Sequence, residues 1–313
     1  MAQTMVRGSQ VLDHTIQRVD LDVTTVGNAV ITKLIQGSNI TLSSTGADAG
    51  TGDVTISAPA PLLRGYIANF TLSNGTPAAT MLSVGSGMAT DNAMAINIVN
   101  NAIFNKSISG SWIAGSGNNG MGFSLTAAAN TWYHVFAIIN AGNFDVYFDN
   151  SVTAANAPSG TTAFRRIGSI RLNASIQITP FTQFGDEFLW LTVISETPSG
   201  LNLSTTNTTL TLTGVPLGVK VWGLFESYIA TLSGQSAANV VISAPDQGTQ
   251  TVDTPFLHRT QSIYTPTPGT NAFTVPIKVR TNSSAQLQVV ASSSGAQLYF
   301  TTYGWIDDRG KNN

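Results

Sequence analysis

The chain has 313 residues, of which 42% are hydrophobic and 10% charged, and its formal net charge at pH 7 is −2. This balance excludes both the basic field that attracts nucleic acid and the high charge of a disordered chain. Cysteine is absent, which excludes disulfides and thiolate metal sites and fits assembly in a reducing cytoplasm. No run approaches the roughly 20 apolar residues of a membrane helix, and the N-terminus carries no apolar signal segment.

The first segment contains an apolar series whose members are spaced alternately by four and three residues, as in a coiled-coil seam. The series is Leu12, Ile16, Val19, Val23, Val26 and Val30. β-Branched residues at both seam positions favour trimers. The series predicts a short helical stalk that partner chains stabilise. Because Thr24, Thr25 and Gly27 are poor helix formers, an irregular arm fits the same residues.

Residues 39–43 and 53–57 alternate polar and apolar side chains, and the residues between them are turn formers, which predicts a β-hairpin. A single hairpin is marginally stable in water, so we expect this one to pair with hairpins of other subunits. The Ala-Pro-Ala-Pro stretch at 58–61 then predicts a stiff linker. Residues 1–60 are thus interpreted as an N-terminal arm.

Residues 132–139 are apolar or aromatic at nearly every position and lack helical spacing, which predicts a strand buried on both faces. Asn140–Asn143 supplies turn residues that tolerate positive φ, and residues 144–149 resume the strand pattern. We therefore expect a β-hairpin at the centre of a β domain.

Further short strands, separated by glycine, asparagine and proline turns, continue to the end of the chain, as in sandwiches and jelly rolls. They are expected at residues 67–72, 80–84, 95–99, 181–194, 209–213, 219–225, 273–279, 286–290 and 298–303. Pro276 favours an edge strand or a bulge. The turn-rich residues 195–200 suggest a second boundary, giving domains at 61–196 and 197–313. The predicted fold is all-β: an arm with a short helical stalk and hairpin, then two antiparallel, jelly-roll-like β-sandwich domains, assembled as a trimer.

Residues 115–120 match the G-x-G-x-x-G dinucleotide pattern, which requires a helix to begin at its end. The residues that follow are not a helix start, so we interpret the segment as a flexible glycine loop. His14, His134 and His258 lie far apart in the sequence, and we expect no metal site and no cofactor. His134 is expected in the core.

Asp145 and Asp149 are the candidate pair of catalytic acids for glycan hydrolysis. Four residues along a strand separate them by roughly 13 Å, beyond the roughly 5–9.5 Å of glycosidase pairs. Arg165 and Arg166 point to opposite faces of a strand, so one of them is expected to pair with a strand acid. Structural ion pairs explain these charges, and we expect no enzyme activity.

Aromatic and amide side chains in loops are the better candidates, because sugars bind to aromatic faces and planar hydrogen-bonding groups. The candidate ligand-binding residues are Trp112, Asn118, Asn119, Tyr228 and Tyr264. Ordinary core packing is the alternative for each of them.

Four successive stretches, TWYHVF, DVYFD, FRRIGSIR and QFGDEFLW, resemble a domain of bacteriophage tail-fibre-like proteins. Residues 8–58 resemble the virion-attachment ends of the same proteins, and the Gly-Trp-Ile-Asp sequence near the C-terminus is similar to their endings. The resemblance covers roughly the first two thirds of the chain. It implies a virion protein and carries no catalytic residues.

The predicted function is that of a non-enzymatic bacteriophage fibre or spike, a homotrimer in the virion that is assembled in the bacterial cytoplasm. Its N-terminal arm would attach to capsid, portal or tail proteins, and its β domains would bind bacterial surface polysaccharide. The alternative is a capsid decoration or head fibre protein with a mainly structural role. A glycan hydrolase is the third class, and neither nucleic acid nor membrane insertion is expected.

Overall fold

The computed structural model describes residues 41–44, 54–57, 63–231, 237–252, 259–264, 275–294 and 296–311. The chain divides into two compact units, Met1–Pro61 and Leu62–Asn313. In the first unit, β1 (Thr41–Ser44) and β2 (Val54–Ser57) form an antiparallel hairpin, which confirms the prediction from alternation. The apolar series from Leu12 to Val30, and with it the stalk, lies outside the described residues.

The second unit is built from β-strands, and its described residues contain no α-helix, only a 3-10 turn at Pro245–Gln247. The first ten strands are β3 (Ile67–Asn69), β4 (Leu72–Asn74), β5 (Met81–Val84), β6 (Gly87–Thr90), β7 (Asn97–Asn100), β8 (Phe104–Ser111), β9 (Asn119–Met121), β10 (Trp132–Asn140), β11 (Asn143–Asp149) and β12 (Thr161–Arg171). The others are β13 (Phe181–Phe184), β14 (Glu187–Ser195), β15 (Leu201–Asn202), β16 (Thr208–Thr211), β17 (Trp222–Thr231), β18 (Ala237–Ser243), β19 (Arg259–Tyr264), β20 (Val275–Arg280), β21 (Gln286–Ala291) and β22 (Ala296–Ile306). The predicted all-β class is confirmed.

These strands form several sheets around a large hydrophobic core, beside which Phe136, Ile138, Tyr147 and Ala154 form a second, smaller buried cluster. A seven-stranded sheet of order β12-β10-β11-β9-β8-β5-β4 faces a three-stranded sheet of order β3-β6-β7, whose strand β7 contacts β10, β11 and β12. A six-stranded sheet runs β13-β14-β22-β17-β20, with β15 also paired to β22, and it contacts a four-stranded sheet of order β16-β21-β18-β19. The arrangement is consistent with the predicted sandwich. Pro276 lies in β20 at a sheet edge, as expected for a residue without a backbone donor.

One strand departs from the predicted antiparallel order. β9 runs parallel to both of its neighbours, β8 and β11. The loop between β8 and β9 folds back along β8, so that Ser107 lies opposite Asn119 and Ser111 opposite Met121. The backbone N–H of Ser107 donates to the Asn118 carbonyl at 2.9 Å, which fixes this return.

The boundary expected after residue 196 does not separate two compact units. β14, before that position, pairs with β22 at the end of the chain. Two tryptophans reinforce the connection, because Trp132 Nε1 donates to the Thr213 carbonyl (3.1 Å) and Trp190 Nε1 to the Gly214 carbonyl (2.9 Å). Residues 196–200, which follow β14, are a loop within one unit.

The hairpin of β10 and β11 has the predicted form. Asn140 pairs with Asn143, and the two residues between them, Ala141 and Gly142, have φ values of 46° and 81°. Positive φ at both central positions is typical of the type I′ hairpin turn. The first seven residues of β10 are buried, as expected for a strand covered on both faces.

The C-terminal residues after β22 are bound to the second unit by charged side chains. Arg166, which is almost fully buried, forms two 2.7 Å hydrogen bonds with the Asp307 carboxylate. Arg309 donates to Asp186 Oδ1 at 2.9 Å and to the Asn69 carbonyl at 2.8 Å. Arg166 on β12 therefore pairs with an acid of the C-terminal segment, and not with the strand acid that was expected.

His134 is buried, as predicted, and its Nδ1 lies 3.0 Å from Ser169 Oγ. Burial and the nearby charge of Arg166 lower its pKa to about 4. Between pH about 6.5 and 4 the unfolded chain therefore binds a proton that the folded chain does not, and the free energy of unfolding falls as the pH falls. The loss should reach about 3 kcal/mol. Urea unfolding across this range should show a shallower pH slope for His134→Asn than for the parent chain, and equal slopes would contradict the assignment.

Candidate functional site

Trp112, the first candidate from the sequence, directly follows β8, and its indole is held by β11. Its Nε1 donates hydrogen bonds to Asp145 Oδ1 (3.3 Å) and to the Val146 carbonyl (3.2 Å). Its backbone N–H donates to the Met121 carbonyl at 2.7 Å. The side chain is half-buried, so one edge of the indole is fixed while part of the ring faces solvent.

A buried ion pair, Lys106 with Asp145, contacts the Trp112 indole. Lys106 Nζ lies 2.9 Å from Asp145 Oδ1, with 0% and 5% of the two side chains exposed. The ammonium also donates to the Gly115 carbonyl (3.0 Å) and lies 5.2 Å from the Trp112 ring centroid, and Asp145 Oδ2 accepts the Gly115 N–H (2.7 Å). Burial lowers the pKa of Lys106, while the hydrogen bond and charge of Asp145 oppose that shift. The glycine loop expected to be flexible is therefore tied to a desolvated ion pair.

Trp112 forms one wall of a shallow depression with a volume of about 480 Å³. Its lining residues are Ser111, Trp112, Phe123, Ser124, Pro158 and Ser159. Phe123 is 71% exposed, and its backbone N–H donates to the Asn156 carbonyl at 2.8 Å. The preceding Gly122 permits this approach, because a Cβ there would lie 2.7 Å from the same carbonyl oxygen. The depression thus combines two aromatic rings, a proline and three hydroxyls, and its lining carries no charged side chain.

The other sequence candidates do not line this depression. Asn118 is exposed and donates from Nδ2 to the Ala114 carbonyl at 2.6 Å. Asn119 begins β9, and its carbonyl accepts a 3.4 Å hydrogen bond from Lys106. These two asparagines therefore shape the loop beside Trp112.

The two tyrosine candidates lie in the six-stranded and four-stranded sheets. Tyr228 is half-buried in β17, and its ring centroid lies 5.3 Å from that of Tyr299 on β22. Tyr264 is the last residue of β19. The predicted set is therefore not one site, and only Trp112 belongs to the aromatic depression. Phe123 was missed, because a phenylalanine between a glycine and a serine gives no sign of exposure.

A second exposed aromatic residue, Trp222, lies on the edge pair of β17 and β20. It is 44% exposed, with Lys278 Nζ at 5.2 Å and the Arg280 guanidinium carbon at 6.0 Å from its ring. Asp246 accepts a 2.6 Å hydrogen bond from Arg280 and lies 3.6 Å from Lys220. The Arg280 hydrogen bond and charge lower the pKa of Asp246. Two basic residues at i and i+2 of a predicted edge strand were the available signal for this basic surface.

Within the described residues, no group of three or more histidine, cysteine, aspartate or glutamate side chains is placed to hold a metal ion. The same part of the chain contains no helix that is long and apolar enough to cross a membrane. The carboxylates Asp145 and Asp149 are each engaged, the first with Lys106 and the second with the Tyr147 hydroxyl (3.2 Å) and Asn156.

No protein-family model matches the chain, and no curated protein matches it. The chain is similar to the VP2 subviral particle of infectious bursal disease virus at 10% identity, covering 82% of this chain and 75% of that chain with a TM-score of 0.20. It is similar to the structure of the Gx strain of the same virus at 11% identity, covering 79% and 71% of the two chains with a TM-score of 0.21. Likenesses at this level carry no argument about fold or function.

Proposed function

We propose that the chain is a structural protein of a bacteriophage virion, a homotrimeric fibre or spike that binds glycan on the host surface. The observation that supports glycan binding is the exposed ring of Phe123 beside the fixed indole of Trp112 in a depression lined by serine hydroxyls. The resemblance of residues 8–58, and of the four stretches between residues 131 and 190, to phage fibre proteins supports the virion assignment. Residues 1–60 would attach the protein to capsid, portal or tail proteins.

The chemistry of the depression favours a neutral sugar. An aromatic face can pack against the apolar face of a pyranose, and the hydroxyls of Ser111, Ser124 and Ser159 can exchange hydrogen bonds with its rim. The shallow shape suits one residue of a polysaccharide and a weak single-site affinity. Three such sites on one trimer, and many trimers on one particle, would raise the avidity by orders of magnitude.

Exposed apolar side chains on the β13–β14 hairpin support self-association. Phe184 is 88% exposed, Leu191 64% and Val193 54%. Exposed apolar patches mark interaction sites in soluble proteins, and a chain with so few charges offers little to keep these side chains solvated. We propose that other copies of the chain cover this hairpin. Light scattering on the purified protein should give the mass of a trimer, and a stable monomer at micromolar concentration would contradict the proposal.

Phe123→Ala should weaken binding to host surface polysaccharide at least about tenfold, because truncating an aromatic anchor removes its packing area. Folding should be unaffected, since substitutions at exposed positions change stability by only about 0.5 kcal/mol. Binding of the trimer to immobilised host polysaccharide, with thermal unfolding measured in parallel, tests both statements.

Ile103→Ala is the matched control, because it removes a large apolar side chain of similar exposure (70%) outside both the depression and the β13–β14 hairpin. It should leave the intrinsic affinity of each site unchanged. An equal loss in both variants, or no loss in either, would count against the depression as the glycan site. If the parent protein at saturating concentration does not compete with phage for adsorption, a decoration or head fibre role is favoured instead.

A further inference from the structure

A second cavity, separate from the aromatic depression, lies where β12 meets the C-terminal residues. Its volume is about 180 Å³, many times the roughly 10–15 Å³ that a water molecule requires. Four arginines line it together with one acid, and these are Arg64, Arg165, Arg166, Arg309 and Asp91. Arg64 is exposed, whereas Arg165 and Arg309 are buried and the Arg166 side chain is 11% exposed, so three of the four positive charges are largely withdrawn from solvent.

Arg165 has a buried donor atom that is not hydrogen-bonded to any described residue. It is only 8% exposed, and its Nη2 donates to the carbonyls of Gly65 (3.2 Å) and Arg309 (2.9 Å). Its buried Nε has no hydrogen-bond partner among the described residues. Burial and the charges of Arg166 and Arg309 lower its pKa, while the charge of Asp308 opposes that shift. Buried arginine donors are expected to be paired, so this one indicates a partner that the described residues do not supply.

The carboxylates around the cavity are already engaged. Asp91 accepts backbone N–H groups from Ala93 (3.2 Å), Ala95 (2.7 Å) and Ile96 (2.9 Å). The Asp91 oxygens therefore bind the backbone of the loop before β7.

Asp308 Oδ1 accepts the Gly310 N–H at 2.9 Å, and two further acids bind the arginines that fix the C-terminal segment. Asp307 accepts both Arg166 hydrogen bonds, and Asp186 accepts those of Arg309 and Lys311. Ion pairs thus hold the residues around the cavity in place, and they provide no hydrogen-bond partner for the Arg165 Nε.

We infer that this cavity binds a compact oxyanion, a carboxylate, phosphate or sulfate group, with Arg165 as its principal donor. Hydrogen bonds between a charged donor and an oxyanion are about twice as strong as neutral ones, and the low local dielectric increases their strength further. The anion could come from free inorganic phosphate or from the carboxylate of an acidic sugar in a surface polysaccharide. The inference does not rest on the proposed function, because the two sites share no lining residue.

Calorimetric titration of the full chain at pH 7, with sodium phosphate and separately with sodium glucuronate, tests the site. Sodium chloride at equal ionic strength is the reference. Asn92→Asp places a carboxylate at the cavity lining and should weaken binding at least about tenfold by repulsion. Asn92 is exposed, and its backbone N–H, which the substitution keeps, donates to the Phe164 carbonyl at 2.9 Å, so the variant should fold.

Asn101→Asp makes the same change at an exposed asparagine outside the cavity and should leave binding unchanged. Saturable binding of phosphate that only Asn92→Asp weakens supports an inorganic ligand, and the same pattern with glucuronate supports an acidic sugar. Binding that both variants weaken equally, or heats that match those of sodium chloride, would overturn the inference. Arg165→Lys keeps the charge but removes the Nε donor, and unchanged binding in that variant would also overturn it.

Discussion

Asp307→Asn is expected to lower the free energy of unfolding by about 3–5 kcal/mol, because it leaves the buried Arg166 guanidinium without a counter-charge. The Asp307 side chain is fully buried, and 11% of the Arg166 side chain is exposed. The carboxylate also accepts the Arg309 N–H at 2.8 Å. Burial alone would raise the pKa of Asp307, but the charge and hydrogen bonds of Arg166 hold it below its usual range. The stabilisation is therefore present above the pKa of the unfolded carboxyl and is lost only as the pH falls through the lower folded value.

Urea denaturation at pH 7 measures this loss. The matched control is Asp246→Asn, which breaks an ion pair with Arg280 at a similar distance but on the surface, with 41% and 43% of the side chains exposed. Its unfolding midpoint should be almost unchanged, because exposed pairs contribute little. The double variant Arg166→Met with Asp307→Leu should recover much of the lost stability, since no charge is then left buried. Equal effects of Asp307→Asn and Asp246→Asn would show that the buried pair is not what binds the C-terminal segment.

Local patterns predicted the parts of the fold that local residues determine. The β10–β11 hairpin is set by apolar runs around Ala141 and Gly142, and the β1–β2 hairpin by strict alternation. In each hairpin, the two strands that hydrogen-bond to each other are joined directly by one turn or loop. Such elements are visible in a single sequence because their stability does not depend on distant residues.

Other parts of the fold depend on contacts that the sequence does not display. Residues 67–72 look like one strand, but Asn69 and Phe70 have φ values of 60° and 54° and divide it into β3 and β4, which belong to different sheets. The Phe70 ring is fully buried and stacks on Phe144 at 5.9 Å, which offsets the unfavourable backbone. Gly87 permits the turn, because a Cβ there would lie 2.5 Å from the Phe70 nitrogen. Tertiary packing, and not local preference, fixes this corner.

The candidate site was predictable only in part for the same reason. Trp112 was singled out because it lies beside the glycine loop at 115–120, with core packing as the alternative, and in the structure it does pack against a small buried cluster as well. Phe123 could not be recognised, since β9 and its return loop bring it to Trp112 through a parallel pairing, and neither could the ion pair of Lys106 on β8 with Asp145 on β11. The arginine cavity combines residues that are more than 200 positions apart, from Arg64 to Arg309. The spacing of these arginines in the sequence therefore does not predict that they line one cavity.

Trp305→Ala should cost about 3–5 kcal/mol of stability, because it removes the ring at the centre of an aromatic cluster. Trp305 is fully buried and stacks on Phe188 with 4.9 Å between ring centroids and 5° between planes. Its centroid lies 4.8 Å from that of Trp190 and 5.3 Å from that of Trp132. Thermal and urea unfolding should both report the loss, and the near-ultraviolet circular dichroism should weaken as the ring couplings disappear.

Two further variants separate ring packing from the polar indole nitrogen. The buried Trp305 Nε1 has no hydrogen-bond partner among the described residues, so Trp305→Phe loses volume but also relieves an unsatisfied donor and should cost clearly less than alanine. Trp222→Ala, at a position that is 44% exposed, should leave the unfolding midpoint nearly unchanged. Because Trp132, Trp190 and Trp305 come from β10, β14 and β22, the cluster joins strands from both sides of residue 196. Trp305→Ala should therefore shift one cooperative transition for the whole of residues 62–313, whereas two separate transitions, with only one of them moved, would mean that the two halves fold independently.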